Sequence, residues 1–213
     1  MGQQNLLTLF VSCLEHTYTQ VENDGSFAVD KDGSNLYIYF EKSNGPADLE
    51  HNFNFPAIPY HNMSQTWYCH RGFLKVWKSI EPYLTESIMN PDIRSVNITG
   101  YSHGAALATF CHEYVWFNRP DLREYINGYG FGSPRILWGR LIPDLQERWI
   151  NFTPVCNIND IITHLPPKIL GYCHVNSLMM IGERDKYSGI VAHRPESYIS
   201  ELEKLNSLFS AVR

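Results

Sequence analysis

The segment RSVNITGYSHGAALATF, residues 94–110, decides the predicted fold. Its first part alternates apolar and polar residues and places Val96 and Ile98 on one face, which is typical of a strand. Its second part opens a run without Gly or Pro, residues 105–117, that is rich in helix formers and aromatic residues. The segment therefore predicts a strand that passes directly into a helix.

The junction between this strand and this helix has the pattern G-x-S-x-G, with Gly100 and Gly104 on either side of Ser102. In a nucleophile elbow the serine is held in a strained turn, and small residues two positions before and after it let the strand and the helix approach. The helix N-terminus then directs backbone N–H groups and a positive dipole toward a developing oxyanion. An ordinary turn serine fits the same stretch, so both interpretations stay open at this point.

Composition places the whole chain, residues 1–213, in one α/β domain. It is 44% hydrophobic and 14% aromatic, which is enough for a sizeable core. Strands that alternate with helices predict a mostly parallel central sheet with helices on both faces. We expect helices over about 3–21, 72–89 and 195–209, strands over about 26–30, 35–42, 95–99, 127–133, 148–154 and 174–182, and an irregular stretch over about 45–69.

Charge and cysteine usage limit the partners and the compartment. The net charge is -5 and the basic residues are scattered, so neither nucleic acid nor an anionic membrane is favoured, and we expect a neutral or apolar substrate. The first residues lack the features of a signal peptide, and no apolar run reaches membrane-spanning length. Five cysteines without tight spacing favour buried thiols in a reducing compartment. We therefore predict a cytoplasmic protein without a metal or a cofactor.

Chain order selects the partners that Ser102 would need as a nucleophile. In the α/β-hydrolase arrangement the order is Ser, then Asp or Glu, then His. Asp160 follows a predicted strand and precedes a Pro-Pro pair, although an Asx-turn or a cap would use the same residue. His193 lies in a loop after the last predicted strand, where a solvated histidine is the alternative. His164 fits less well because it lies too close to Asp160, and His174 because it leads directly into a strand.

Together these segments resemble the class 3 (fungal-type) lipase family, in a compact bacterial-like form without a secretion signal. The resemblance runs from about residue 36 to residue 202 and rests on five segments in the same order: NITGYSHGAALATF, YGFGSPRI, NINDIITHLPP, GYCHV and AHRPESYISEL. It implies the α/β-hydrolase fold, with Ser102 as the nucleophile, Asp160 as the acid and His193 as the base.

The resemblance also implies an oxyanion hole and a segment that covers the substrate. Ser43 takes the position from which a Ser or Thr donates its backbone N–H and its hydroxyl, and the backbone N–H of His103 is the second donor. The Arg-Gly pair that precedes this position in the family is replaced here by Glu41 and Lys42. Residues 45–69 would form a lid or the wall of an acyl groove, whereas a surface loop packed by its aromatics is the alternative.

These residues favour a serine carboxylic-ester hydrolase, a lipase or esterase that acts on lipid or small ester substrates. A phospholipase or an acyltransferase would use the same three residues, because the shape of the groove selects the acceptor. A catalytically silent lipase-like binding protein is the third hypothesis, and the departure at Glu41 and Lys42 is its only support. Any contact with a lipid interface is expected to be transient.

Overall fold

The computed structural model describes residues 5–41, 56–62, 65–184 and 189–211. Within these ranges seven strands form one sheet: β1 Thr19–Gln20, β2 Ser26–Asp32, β3 Asn35–Phe40, β6 Ser95–Tyr101, β7 Ile126–Phe131, β9 Phe152–Asn157 and β11 Met179–Ile181. Their spatial order is β1-β2-β3-β6-β7-β9-β11. The first three strands pair antiparallel, and every later pairing, from β3–β6 to β9–β11, is parallel. The predicted mostly parallel sheet is confirmed.

Helices cover both faces of this sheet. One face buries an apolar cluster together with α2 (Arg71–Met89) and α3 (His103–Asn118). The opposite face packs against α1 (Leu6–Glu15) and α5 (Pro195–Ala211), which also contact each other. A short helix, α4 (Pro143–Glu147), precedes β9. In the part of the chain that the structure describes, none of these helices is both long and apolar enough to cross a membrane.

A second, smaller sheet follows the order β10-β8-β5-β4 and is antiparallel throughout. Its strands are β4 Ala57–Asn62, β5 Gln65–His70, β8 Leu137–Trp138 and β10 Tyr172–Cys173. Most of residues 57–70 therefore forms a hairpin, and the expectation of an irregular stretch was wrong there. Tyr60 and Trp67 face each other across the hairpin and pack edge-to-face at 5.3 Å. The inward-facing residues, Ile58 and Tyr60 in one strand and Trp67 and Cys69 in the other, alternate with exposed ones, but prolines and polar residues around them hid this period.

Three predicted boundaries also differ from the structure. The first helix ends at Glu15 rather than near residue 21, because the chain turns there into the edge strand β1. The strand expected from residue 148 begins at Phe152, since the backbone before it folds into successive turns. The strand expected over 174–182 is reduced to β11, because the Asn176 side chain binds the carbonyls of Trp149 and Phe152 and holds that segment in a loop.

Candidate active site

Ser102 occupies a strained turn at the point where β6 ends and α3 begins. Its backbone has φ 57° and ψ −120°, a region that residues with a side chain rarely adopt. A Cβ on Gly100 would lie 2.1 Å from the carbonyl oxygen of Gly104, and one on Gly104 would lie 2.2 Å from that of Phe40. Both positions therefore require glycine, because β3, β6 and α3 approach each other too closely for any side chain.

The structure brings Ser102, His193 and Asp160 together in one hydrogen-bonded relay. Nε2 of His193 lies 2.7 Å from Oγ of Ser102, and Nδ1 of the same ring lies 2.7 Å from Oδ2 of Asp160. The Asp160 carboxylate is fully buried, whereas the His193 side chain keeps 15% of its surface exposed. With Nδ1–H donating to the carboxylate, Nε2 is the nitrogen that accepts the serine proton.

Asp160 combines the two roles that its position in the sequence allowed. Its Oδ1 accepts a hydrogen bond from the amide of Ile162 at 2.8 Å, which is an Asx-turn. Its Oδ2 accepts from His193 and, at 2.7 Å, from the hydroxyl of Tyr198 on α5. The Tyr198 oxygen in turn accepts from the amide of Asn157 at 3.1 Å. The carboxylate is thus held by three donors, and Tyr198 is a site residue that sequence reasoning missed.

Tyr101, the residue before the serine, contacts His193 through both its hydroxyl and its ring. Its hydroxyl donates to the His193 carbonyl, and its ring stacks on the imidazole at 5.3 Å. Phe10 of α1 packs against the rings of both Tyr101 and Tyr198, at 5.2 and 5.6 Å. The N-terminal helix therefore supports the relay through these two tyrosines. Tyr101 is a second site residue that sequence reasoning missed.

Gly132 leaves the space that the imidazole and the carboxylate need. It follows β7 with φ +60°, and its amide donates to the carbonyl of Val155 at 2.9 Å. A Cβ at this position would lie 2.9 Å from Cε1 of His193 and 3.3 Å from Oδ2 of Asp160. Both the backbone angle and the close approach require glycine here.

Of the two residues predicted for the oxyanion hole, only His103 lies within the described residues. His103 is the first residue of α3, so its amide is among the N–H groups at the helix start that have no acceptor within the helix. Its imidazole is buried and packs edge-to-face on Phe73 at 5.3 Å. Ser43 lies outside the described residues. Of the predicted lid or groove wall, only the part that forms the β4–β5 hairpin is described.

Two other histidines after Ser102, His112 and His174, contact residues outside the relay. Burial lowers the pKa of His112 to about 3, and its ring packs edge-to-face on Phe152 at 5.5 Å. Burial also lowers the pKa of His174, to about 4, and its Nε2 lies 2.8 Å from the carbonyl of Thr163. Among the described residues no group of three or more His, Cys, Asp or Glu could hold a metal ion. All five cysteines are free, and all except Cys173 are buried.

Known proteins with similar sequences are fungal lipases. A secreted mono- and diacylglycerol lipase of Malassezia globosa is 36% identical over 110 residues, which are 47% of this chain and 34% of that protein. A lipase of Rhizomucor miehei is 26% identical over 145 residues, which are 65% of this chain and 39% of that protein. The chain therefore spans between a third and two fifths of the length of these curated relatives.

Structural comparison agrees on the fold. The triacylglyceride lipase of Rhizomucor miehei superposes with a TM-score of 0.66 at 21% sequence identity, covering 78% of this chain and 66% of that one. A likeness at this identity shows the shared α/β-hydrolase fold, which confirms the predicted fold class. The model of the family described as lipase (class 3) matches residues 37–170, well over half of the sequence. The chain belongs to the class 3 lipase family.

Proposed function

We propose that the protein is a serine hydrolase that cleaves carboxylic esters of lipids through an acyl-enzyme. The observation that carries this proposal is the relay from Asp160 through His193 to the strained Ser102, with both links at 2.7 Å. A serine hydroxyl is a weak nucleophile unless a base takes its proton and an acid orients that base. A turn serine without a chemical role would need neither partner.

The proposed reaction begins when Oγ of Ser102 attacks the ester carbonyl and its proton passes to Nε2 of His193. The carboxylate of Asp160 stabilises the resulting imidazolium, and the amide of His103 donates to the oxyanion. Ser43 is proposed as the second oxyanion donor. The tetrahedral intermediate then expels the alcohol, which takes the proton from His193. Water repeats the sequence against the acyl-enzyme and releases the carboxylic acid.

An acylglycerol-like substrate is supported by the surface around the relay. Three exposed aliphatic side chains lie close to the relay residues in the chain: Ile161 follows Asp160, and Ile190 and Val191 follow Gly189, which pairs with Asp160 in a β-bridge. Such a surface suits an acyl chain rather than a charged substrate. The names of the relatives, which include mono- and diacylglycerol lipase and triacylglycerol lipase, point to the same class. Within the described residues, no structural observation favours a phospholipase, an acyltransferase or a silent binding protein over this assignment.

Two further expectations belong to this proposal. We propose that residues 1–213 form one domain in which the segment around 45–69 is a lid or the wall of an acyl groove. A lid predicts a jump in activity when the substrate concentration passes the point of aggregation. We also propose a cytoplasmic location, which the free thiols support. Cell fractionation with an antibody to the protein tests it.

The test of the hydrolase is a series of chromogenic esters of increasing acyl length. Wild type is expected to hydrolyse them, Ser102→Ala to lose activity by more than about a thousandfold, and the exposed Ser177→Ala to behave as wild type. A fluorophosphonate probe should label wild type and Ser177→Ala only. Equal activity of wild type and Ser102→Ala, or no activity and no labelling of wild type, would contradict the proposal.

A further inference from the structure

An exposed apolar surface lies at the small sheet, outside the relay. We call it the Ile169 patch and define it by four side chains: Tyr68, Trp138, Ile169 and Leu170. All four are exposed, and Ile169 keeps 93% of its surface in solvent. Apolar side chains that meet at one exposed place mark a contact surface more often than single exposed ones do. Within the described residues, nothing covers the Ile169 side chain.

The patch is held together by defined contacts. Nε1 of Trp138 donates to the carbonyl of Leu170 at 2.9 Å, and the Tyr68 ring packs edge-to-face on Trp138 at 5.7 Å. Gly171 follows with φ +88°, and a Cβ there would lie 2.8 Å from the indole nitrogen. The short turn Lys168–Leu170 is therefore pinned against Trp138, with the Ile169 side chain outermost.

Two exposed basic residues adjoin the patch although the whole chain carries a net charge of -5. Lys168 precedes Ile169 and is exposed, and exposed Arg140 follows Gly139, whose amide donates to the Gly171 carbonyl at 2.9 Å. The charge of Lys168 also acts on the nearby imidazole of His174. Burial is the main reason for its lowered pKa, and the charges of Lys168, Arg135 and His164 lower it further.

The patch is also connected to the relay. Two of its residues, Ile169 and Leu170, lie on the loop that follows β9 and contains Asp160. Arg135, which follows Gly132 closely in the chain, fixes this loop by donating its amide to Leu165 at 2.7 Å and its guanidinium to the Pro166 carbonyl at 2.9 Å. The loop that Arg135 fixes thus joins Asp160 of the relay to Ile169 and Leu170 of the patch.

We propose that the Ile169 patch docks the protein on a lipid surface that carries anionic headgroups. Ile169 and Leu170 enter the apolar layer, and Trp138 and Tyr68 lie at headgroup level, where amphipathic rings are stable. Lys168 and Arg140 pair with lipid phosphates. The occupant follows from this complementarity of charge and polarity. The inference rests on the proposed function, because a lipid ester is presented to the enzyme in such a surface.

Vesicle binding tests the proposal without hydrolysis of the lipid. Proteins with Ser102→Ala are sedimented with vesicles of phosphatidylcholine alone or mixed with phosphatidylglycerol. Ile169→Glu is expected to weaken binding to the mixed vesicles at least about tenfold. Its matched control is Ile150→Glu, because Ile150 is 67% exposed and does not belong to the patch. Lys168→Glu should weaken binding to the mixed vesicles only.

Equal binding by the Ile169→Glu and Ile150→Glu proteins would overturn the proposal, and so would a starting protein that fails to bind mixed vesicles. It would also fall if Ile169→Glu only turned an oligomer into a monomer in gel filtration. The hydrolase is tested separately, because with Ser102 intact Ile169→Glu should cleave a monomeric soluble ester at the wild-type rate. Vesicle binding without any esterase activity would reject the proposed function and leave the docking surface standing.

Discussion

Removing one hydroxyl from Tyr198 should slow catalysis while the fold stays intact. In Tyr198→Phe the ring keeps its packing against Phe10 and Tyr101, but Asp160 loses the donor at 2.7 Å. Hydrogen bonds to charged groups contribute about 1.5–3 kcal/mol. Because His193 and the Ile162 amide still hold the carboxylate, we expect half of this loss in the transition state, which lowers kcat by about three- to tenfold.

Steady-state kinetics on a soluble ester measure this effect. KM should stay within about twofold, because Tyr198 positions Asp160 and does not touch the substrate. Tyr129→Phe is the matched control, since Tyr129 packs partly buried against the same core cluster. The mutant protein must still unfold cooperatively. A kcat equal to that of Tyr129→Phe would refute the idea that Tyr198 aligns the relay, and so would a change confined to KM.

Two other changes test the site and the core. Gly132→Ala should reduce kcat more than about a hundredfold, because the added Cβ would push His193 away from Ser102. Gly139→Ala is the control for backbone strain, because Gly139 also has a positive φ but a Cβ there would have no neighbour within 4 Å. The Gly139→Ala protein should keep its activity. The pKa of His112 is lowered to about 3, so between there and its ordinary value of 6.5 the unfolded state binds the extra proton. The contribution of His112 to the free energy of unfolding is therefore complete above about pH 6.5. It decreases as the pH is lowered, by about 2 kcal/mol at pH 5. Urea unfolding across this range should show the slope, and His112→Phe should flatten it; an unchanged slope would contradict the assignment.

Local patterns in the sequence were enough to select the three residues of the relay as candidates. Each of them, Ser102, Asp160 and His193, lies just after a strand or beside a turn, and chain order leaves few candidates for each role. The structure brings the same three side chains together. Gly100 and Gly104 could be interpreted in the same way, because close packing at the elbow depends on neighbours in the chain.

Contacts between distant segments could not be predicted in this way. Tyr198 reaches Asp160 only because α5 packs on the sheet, and Phe10 reaches both tyrosines only because α1 lies beside α5. The same holds for the Ile169 patch. Because the basic residues of the chain are scattered along the sequence, we did not expect an anionic surface as a partner. The fold nevertheless brings Lys168 and Arg140 beside one apolar turn.

Formation of an acyl-enzyme on Ser102 is the most direct test of the proposed mechanism. Wild-type protein is mixed with an activated ester, quenched within milliseconds in acid, and examined by intact mass and peptide mapping. We predict one acyl adduct on the peptide that contains Ser102, and no adduct in Ser102→Ala or His193→Ala. Hydrolysis of the ester without any adduct on Ser102, or an adduct that persists in Ser102→Ala, would contradict the account.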